Sequence, residues 1–160
     1  MKKKSDQHEA YLAKAISLAE NNVEKGGGPF GAVIVKDGQI IASGVNRVSH
    51  KHDPTAHAEI EAIRQATEIM GDYELKGCTL YSSCEPCPMC LGAIYWARLE
   101  GLYFASTRED AQLAGFSDAD IYEELDRKPN ERLLPTFQIK PLNTGEEFIA
   151  WDNYSDRITY

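Results

Sequence analysis

The sequence lacks the features of a membrane or secreted protein. It has no apolar run long enough to cross a bilayer, and the basic start MKKKSDQHEA is not followed by the apolar stretch of a secretory signal. It also lacks internal repeats, low-complexity segments and a long linker. We therefore expect a cytoplasmic protein with no membrane partner. At 160 residues, the chain has the length of one domain with a sizeable core, and we expect residues 1–160 to form it.

An excess of positive charge is also missing. The formal net charge is −8, which argues against a protein whose main task is to bind nucleic-acid phosphates. The run Lys2–Lys4 is the densest basic stretch, and we interpret it as a solvated tail. We therefore expect a partner other than nucleic acid.

Cysteine is scarce, and its distribution is uneven. The chain has four cysteines, and three of them lie in SSCEPCPMC, residues 82–90. In a reducing cytosol, closely spaced cysteines are metal ligands or redox centres more often than structural disulfides. This stretch is therefore the first candidate for a functional site.

The periodicity of apolar residues predicts alternating helices and strands. Asp37-Gly38 between two β-rich runs indicates a hairpin, and helices before, between and after strands indicate a sheet covered on both faces. We expect an α/β fold, a three-layer α/β/α sandwich around a mixed sheet of about five strands. The predicted helices are residues 5–25, 53–71, 88–98, short pieces within 107–126, and 145–158; the strands are the two hairpin runs, 78–83, 101–106 and 136–142.

The cysteines have the spacing of metal ligands. Cys87 and Cys90 are three residues apart at a predicted helix start, so their side chains project to one side. Catalytic zinc sites use three protein ligands of nitrogen and sulfur and leave one position for water. His57 in TAHAE, at a second predicted helix start, is the best third ligand. Because Glu59 is only two residues further, both side chains can reach one ion only from the first turn.

Two alternatives fit the same residues. A CPxC sequence that follows a strand and opens a helix is also typical of a thioredoxin-like redox site. Cys84 as a fourth ligand would close the site and make the zinc structural, with no position for water. We prefer a metal site to a redox site, because the upstream His-Ala-Glu supplies a further ligand and a carboxylate in reach, and a carboxylate beside an open zinc site suits hydrolysis.

The motifs resemble those of a known family. H-A-E followed by P-C-x-x-C is the signature of the zinc-dependent nucleobase deaminases. The segments PFGAVIVKDGQIIASGVN, DPTAHAE, SCEPCPMCLGAIYWAR and AGFSD, with the C-terminal tyrosine, are similar to the bacterial guanine deaminases of the cytidine/deoxycytidylate deaminase superfamily. The resemblance covers nearly the whole chain and implies a cytidine deaminase-like fold. It implies a zinc-dependent aminohydrolase that converts guanine to xanthine and ammonia through a zinc-bound hydroxide.

The same resemblance implies roles for individual residues. One Zn²⁺ per subunit would be held by His57, Cys87 and Cys90, and Glu59 would shuttle protons. The resemblance gives Cys84 no ligand role, and we interpret it, with Cys78, as a buried thiol. Asp118 matches a catalytic aspartate that contacts the amino group being lost. The family pattern also implies a homodimer in which residues 144–160 exchange between subunits and the terminal tyrosine closes the partner's site. The residues implied to bind the purine base are Asn46, Phe30, Ala58, Trp96 and Tyr160.

Other deaminases share the zinc motifs. The tRNA adenosine deaminases are the nearest alternative, but they must bind an RNA stem-loop, and a net charge of −8 suits that poorly. The Asp118 and Tyr160 matches also belong to the free-base enzymes. Deamination of cytosine or of a nucleoside, and a non-catalytic zinc or CxxC redox protein, remain further alternatives.

Overall fold

One mixed sheet organises the first part of the chain. This computed structural model describes residues 4–160, and in them four strands pair in the order β2-β1-β3-β4. Strand β1 is antiparallel to both β2 and β3, and β3 is parallel to β4. The strands are β1 Gly31–Lys36, β2 Gln39–Val45, β3 Cys78–Cys84 and β4 Gly101–Ser106. The predicted mixed sheet is confirmed.

The hairpin between β1 and β2 forms where the sequence predicts it. Asp37 and Gly38 have φ angles of 49° and 75°. Positive φ at both central residues is the requirement of the tight turn that matches the twist of paired strands. Residues Lys36 and Gln39 therefore pair directly across the turn.

Seven α-helices lie within residues 4–160, with one 3₁₀ turn at Pro129–Glu131. Helix α1 precedes the sheet, α3 and α4 connect its strands, and the others are short. Their bounds are α1 Lys4–Val23, α2 Val48–Lys51, α3 Ala58–Met70, α4 Pro88–Trp96, α5 Arg108–Leu113, α6 Ala119–Asp126 and α7 Glu146–Asn153.

Side chains alternate along β1, and the two faces of the sheet pack against different helices. Val33 and Val35 pack on one face of the sheet with Tyr81, against residues of α1. Ala32 and Ile34 lie on the opposite face, because successive strand side chains point in opposite directions. They join a core that also contains Ala58, Ala62 and Ala66 of α3, Ile94 of α4, and Ala97 directly after α4. This arrangement confirms the predicted three-layer α/β/α sandwich.

A glycine in β2 allows α3 to pack closely on the sheet. A Cβ atom on Gly44 would lie 2.5 Å from the Ala62 nitrogen and closer still to the Ala58 carbonyl oxygen. No real Cβ tolerates such contacts, so only glycine fits here. The contact fixes the first turn of α3 relative to the end of β2.

Several predicted boundaries are wrong. Residues 136–142 are not a fifth strand, because a strand needs a hydrogen-bonding neighbour and this segment lies outside the four-stranded sheet. Helix α3 begins at Ala58 and not near Asp53, whose carboxylate instead accepts hydrogen bonds from the Thr55 amide and hydroxyl in a local turn. Helix α7 ends at Asn153, short of the predicted 158, and α2 was not predicted.

The described chain divides into two compact units, one ending at Asp118 and one spanning Ala119–Tyr160. The second unit contains α6, the 3₁₀ turn and α7. Within it, Glu124 Oε2 accepts a hydrogen bond of 2.7 Å from the Leu133 amide, and Arg127 forms an ion pair with Glu124. The described helices include none with the length and hydropathy to span a membrane. A single domain over residues 1–160 stays a prediction.

Candidate metal centre and active site

The topology brings two helix starts to one edge of the sheet. Strands β2 and β3 are both antiparallel to β1, so they run in the same direction and end at the same edge. Helix α3 follows β2 after residues 46–57, which include α2, and α4 follows β3 after residues 85–87. His57 is the residue before the first turn of α3, and Cys87 has the same position on α4. Cys90 lies within the first turn of α4.

The three side chains meet with the spacing of tetrahedral metal ligands. His57 Nδ1 lies 3.5 Å from Cys87 Sγ and 3.5 Å from Cys90 Sγ. A tetrahedral zinc with bonds of about 2.3 Å to sulfur and about 2.0 Å to nitrogen requires a nitrogen–sulfur separation of about 3.5 Å. Within residues 4–160, this is the one group of three His, Cys, Asp or Glu side chains placed to hold a metal ion. The donor set and its spacing therefore fit zinc.

Cys87 favours the negatively charged thiolate form. A hydrogen bond from the Cys90 thiol lowers the pKa of Cys87 to about 4, and the same bond raises the pKa of Cys90. The hydrogen bond with Cys87 also raises the pKa of His57. The amide groups at the start of α4 stabilise negative charge as well. Thiolate is the form of cysteine that binds metal, so the site is suited to a cation.

Cys84 lies outside this group. Its sulfur is 3.4 Å from the Thr107 carbonyl oxygen, to which the thiol donates, and burial raises its pKa to about 11. Cys78 is also buried, and all four cysteines are free thiols. The prediction of two buried thiols is confirmed. The group thus contains three protein ligands, the number typical of catalytic zinc sites.

Glu59 lies beside the metal ligands. It is the second residue of α3, and only 6% of its surface is exposed. Its Oε2 atom lies 3.5 Å from Cys90 Sγ, and its Oε1 atom accepts a hydrogen bond of 3.2 Å from the Ser82 hydroxyl. Burial raises the pKa of this carboxyl. A carboxyl with a raised pKa accepts a proton more readily than an exposed carboxyl, which suits a general acid or base.

Three of the residues predicted to bind substrate lie in the first unit. Ala58 is buried and is the first residue of α3. Asn46 directly follows β2, and its Oδ1 atom accepts a hydrogen bond of 3.3 Å from the Val48 amide. Phe30 is half-buried, and its ring meets that of Phe116 edge to face at a centroid distance of 5.0 Å.

Of the remaining predicted residues, two belong to the first unit and one to the second. Trp96 ends α4 and is 61% exposed, about 13 Å along the helix from Cys87 at 1.5 Å per residue. Asp118 is half-buried, and its pKa is raised by burial and by the negative charge of Cys87. Tyr160 is exposed and belongs to the unit Ala119–Tyr160. Contacts of 3.5 Å bring His57, Glu59, Cys87 and Cys90 together.

Two contributors were missed by the sequence reasoning. Ser82 touches Glu59, and Asn22 donates hydrogen bonds to the carbonyl oxygens of Gly28 and Asn46. Strand alternation could have found Ser82, because it lies on the same face of β3 as Leu80, the face that meets α3. Asn22 has no such signal, since its partners are backbone carbonyl oxygens, and one of them lies 24 residues further along the chain.

Comparisons with known proteins agree with this geometry. Residues 5–106 match the family described as the cytidine and deoxycytidylate deaminase zinc-binding region. Guanine deaminase of Bacillus subtilis is 51% identical over 96% of this chain and 99% of its own length. Its X-ray structure matches with a TM-score of 0.94, over 96% of this chain and 98% of that one.

Two further relatives match a smaller share. The structure of guanine deaminase from Nitrosomonas europaea is 33% identical, covers 69% of this chain and 65% of that one, and has a TM-score of 0.66. The tRNA-specific adenosine deaminase of Aquifex aeolicus is 43% identical over 61% of this chain and 65% of its own length. With the metal-ligand group, the family match and an extended identity of 51%, this chain belongs to the zinc-dependent cytidine and deoxycytidylate deaminase family.

Proposed function

We propose that this protein hydrolyses guanine to xanthine and ammonia. The observation that carries the proposal is the buried carboxyl of Glu59 beside a three-ligand group of His57, Cys87 and Cys90. The choice of guanine rests on similarity along nearly the whole chain to the guanine deaminase of Bacillus subtilis. The tRNA deaminase similarity is limited to about three fifths of the chain.

His57, Cys87 and Cys90 would hold one zinc ion per subunit. A zinc ion bound there would supply Lewis acidity and lower the pKa of a water molecule. Glu59 accepts a proton from the attacking water and delivers it to a ring nitrogen of the purine, which makes the neighbouring ring carbon more electrophilic. Its raised pKa supports this role, because a carboxyl that is easily protonated can both take and return the proton.

The remaining site residues would bind and orient the purine base. Asn46 offers one donor and one acceptor, which match the edge of a purine, while Phe30 and Trp96 offer apolar rings and Ala58 a small buried surface. Asp118 would contact the amino group that leaves as ammonia. The effect of the Cys87 charge on the Asp118 pKa supports this assignment, because it puts the two groups within electrostatic reach.

The proposal includes a homodimer in which residues 144–160 exchange between subunits and Tyr160 closes the partner's site. Large apolar side chains in this part of the chain support it, because monomeric proteins rarely expose so many. Phe148 and Ile149 of α7 are 68% and 61% exposed. A cytoplasmic location is part of the proposal, and four free thiols suit a reducing compartment.

The test is ammonia release by the purified, zinc-loaded protein. It is incubated separately with guanine, adenine, cytosine, their nucleosides and tRNA. We expect ammonia and xanthine from guanine and much slower release from the other substrates. Ammonia from tRNA with none from guanine would replace the proposal by tRNA adenosine deamination, while no release from any of them would remove the enzyme assignment.

A further inference from the structure

A buried serine contacts the proposed proton carrier. Ser82 lies in β3, and only 1% of its surface is exposed. Its hydroxyl donates to Glu59 Oε1 at 3.2 Å and lies 3.4 Å from the Cys84 amide, from which it accepts. Both hydrogen-bond partners of the hydroxyl are therefore protein groups. It donates its proton to the Glu59 carboxyl and accepts from the Cys84 amide.

The two oxygens of Glu59 have different partners. Oε1 is held by Ser82, whereas Oε2 is contacted by the Cys90 thiol. A thiolate that binds a metal has no proton to donate, so the Cys90 contact cannot restrain the carboxyl once a metal is bound. Ser82 is then the side-chain donor that still holds the carboxyl, and Oε2 is left available to exchange protons.

We propose that Ser82 is a positioning residue for the deamination reaction. Its hydroxyl fixes the rotation of the Glu59 carboxyl by holding Oε1, so that Oε2 faces the metal ligands and the substrate. This inference rests on the proposed function of Glu59. Proton transfer is sensitive to small errors in position, and a donor that fixes the carboxyl therefore affects turnover more than substrate binding.

The next residue in the strand provides a matched control. Ser83 is also buried, but its side chain points to the opposite face of the sheet, and its hydroxyl accepts a hydrogen bond of 3.0 Å from the Gly31 amide. Removal of the Ser83 hydroxyl eliminates its hydrogen bond with the Gly31 amide and leaves the contacts of Glu59 unchanged. Ser83→Ala should therefore affect stability but not the chemical step.

The experiment compares Ser82→Ala, Ser82→Thr and Ser83→Ala in the full-length, zinc-loaded protein. Measurements are kcat and KM for guanine, bound zinc per chain, and the melting temperature. For Ser82→Ala we expect kcat to fall about 10- to 100-fold while KM stays within about twofold and zinc stays at one per chain. Ser82→Thr keeps a hydroxyl and should recover most of kcat. Ser83→Ala should lower the melting temperature and leave kcat unchanged.

Crystal structures of the variants give a second readout that does not depend on activity. In Ser82→Ala we expect the Glu59 carboxyl to rotate or to occupy several conformations, whereas in Ser83→Ala it should keep the wild-type one. A kcat within twofold of wild type for Ser82→Ala, an equal loss of kcat in Ser83→Ala, or an unmoved Glu59 would each overturn the inference. Absence of guanine turnover by the wild type would instead overturn the proposed function, and the crystal structures would still test the role of Ser82.

Discussion

His57 and Cys87 hold the same position on two different helices, and their Nδ1 and Sγ atoms lie 3.5 Å apart. Each is the residue that immediately precedes the first helical turn. From there a side chain reaches past the helix end, while the free amide groups of the turn stabilise negative charge. Because the two helices start at the same edge of the sheet, the metal centre depends on the sheet topology as much as on the ligands.

The first prediction concerns zinc stoichiometry. His57→Ala, Cys87→Ala and Cys90→Ala should each lose bound zinc, because two remaining ligands cannot hold the ion tightly. Cys84→Ala is the control, since its sulfur contacts the Thr107 carbonyl and lies outside the ligand group. It should keep one zinc per chain after dialysis, measured by atomic absorption. Zinc loss from Cys84→Ala would instead indicate four protein ligands and a structural site.

The second prediction separates catalysis from metal binding. Glu59→Gln should keep zinc but lose about 10²- to 10⁴-fold in kcat, the usual contribution of a general acid or base. Glu61→Gln is a matched control on the same helical turn. Its carboxylate forms ion pairs with Lys51 and Arg64 near the surface, and such pairs contribute about 0–1 kcal/mol to stability. Full activity of zinc-loaded Glu59→Gln would contradict the proposed mechanism.

The metal ligands and Glu59 could be predicted from the sequence because their chemistry restricts the possible spacings. Two thiols three residues apart at a helix start must share a face, and a histidine two residues before a glutamate can share a site with it only in a first turn. The structure has both arrangements, with His57 before the first residue of α3 and Glu59 second. Local geometry was sufficient for these residues.

The parts that could not be predicted depend on distant contacts. Residues 136–142 have a β-like composition, yet composition does not supply the neighbouring strand that a fifth strand would need. In the sequence, nothing distinguishes Ser82 from other strand residues. Its role depends on the contact with Glu59 of α3, which is 23 residues away in the chain. The start of α3 was misjudged because Asp53-Pro54 is equally suited to a helix start and to the turn that it forms.

The third prediction concerns the close approach of α3 to the sheet. Gly44→Ala places a Cβ against the Ala58 carbonyl and the Ala62 amide, so α3 must shift. We expect a loss of about 1–3 kcal/mol in the free energy of unfolding, typical of overpacking, and weaker zinc binding because His57 moves with the helix. Ser43→Ala, at the exposed neighbouring position, should change neither. Wild-type zinc affinity in a destabilised Gly44→Ala would show that the ligands tolerate a displaced helix.

The fourth prediction concerns acid stability at α5. Thr107 and Asp110 cap this helix reciprocally, and the hydrogen bond from the Thr107 amide lowers the pKa of Asp110. A carboxyl whose pKa is lower in the folded state stabilises the fold above its unfolded pKa of about 3.9, and this contribution is lost as the pH falls through the folded value. The melting temperature of Asp110→Asn should therefore differ most from wild type at neutral pH. The difference should shrink below about pH 4, and a difference that grows in acid would contradict the assignment.

The fifth prediction concerns the support of Asn46. The buried amide of Asn22 donates to the Gly28 carbonyl at 2.8 Å and to the Asn46 carbonyl at 2.9 Å. Asn22→Ala leaves two carbonyls without this donor, and we expect a loss of about 1–3 kcal/mol in the free energy of unfolding.

Because Asn46 is proposed to bind the purine edge, loss of this support should also raise KM for guanine more than it lowers kcat. Asn21→Ala, an exposed neighbour on the same helix, should stay within about 0.5 kcal/mol of wild type and keep its KM. Chemical denaturation and steady-state kinetics on the two variants check both effects. If Asn22→Ala loses stability but keeps the wild-type KM, the backbone at Asn46 does not set the substrate site, and its carboxamide must be held by other contacts such as that from the Val48 amide.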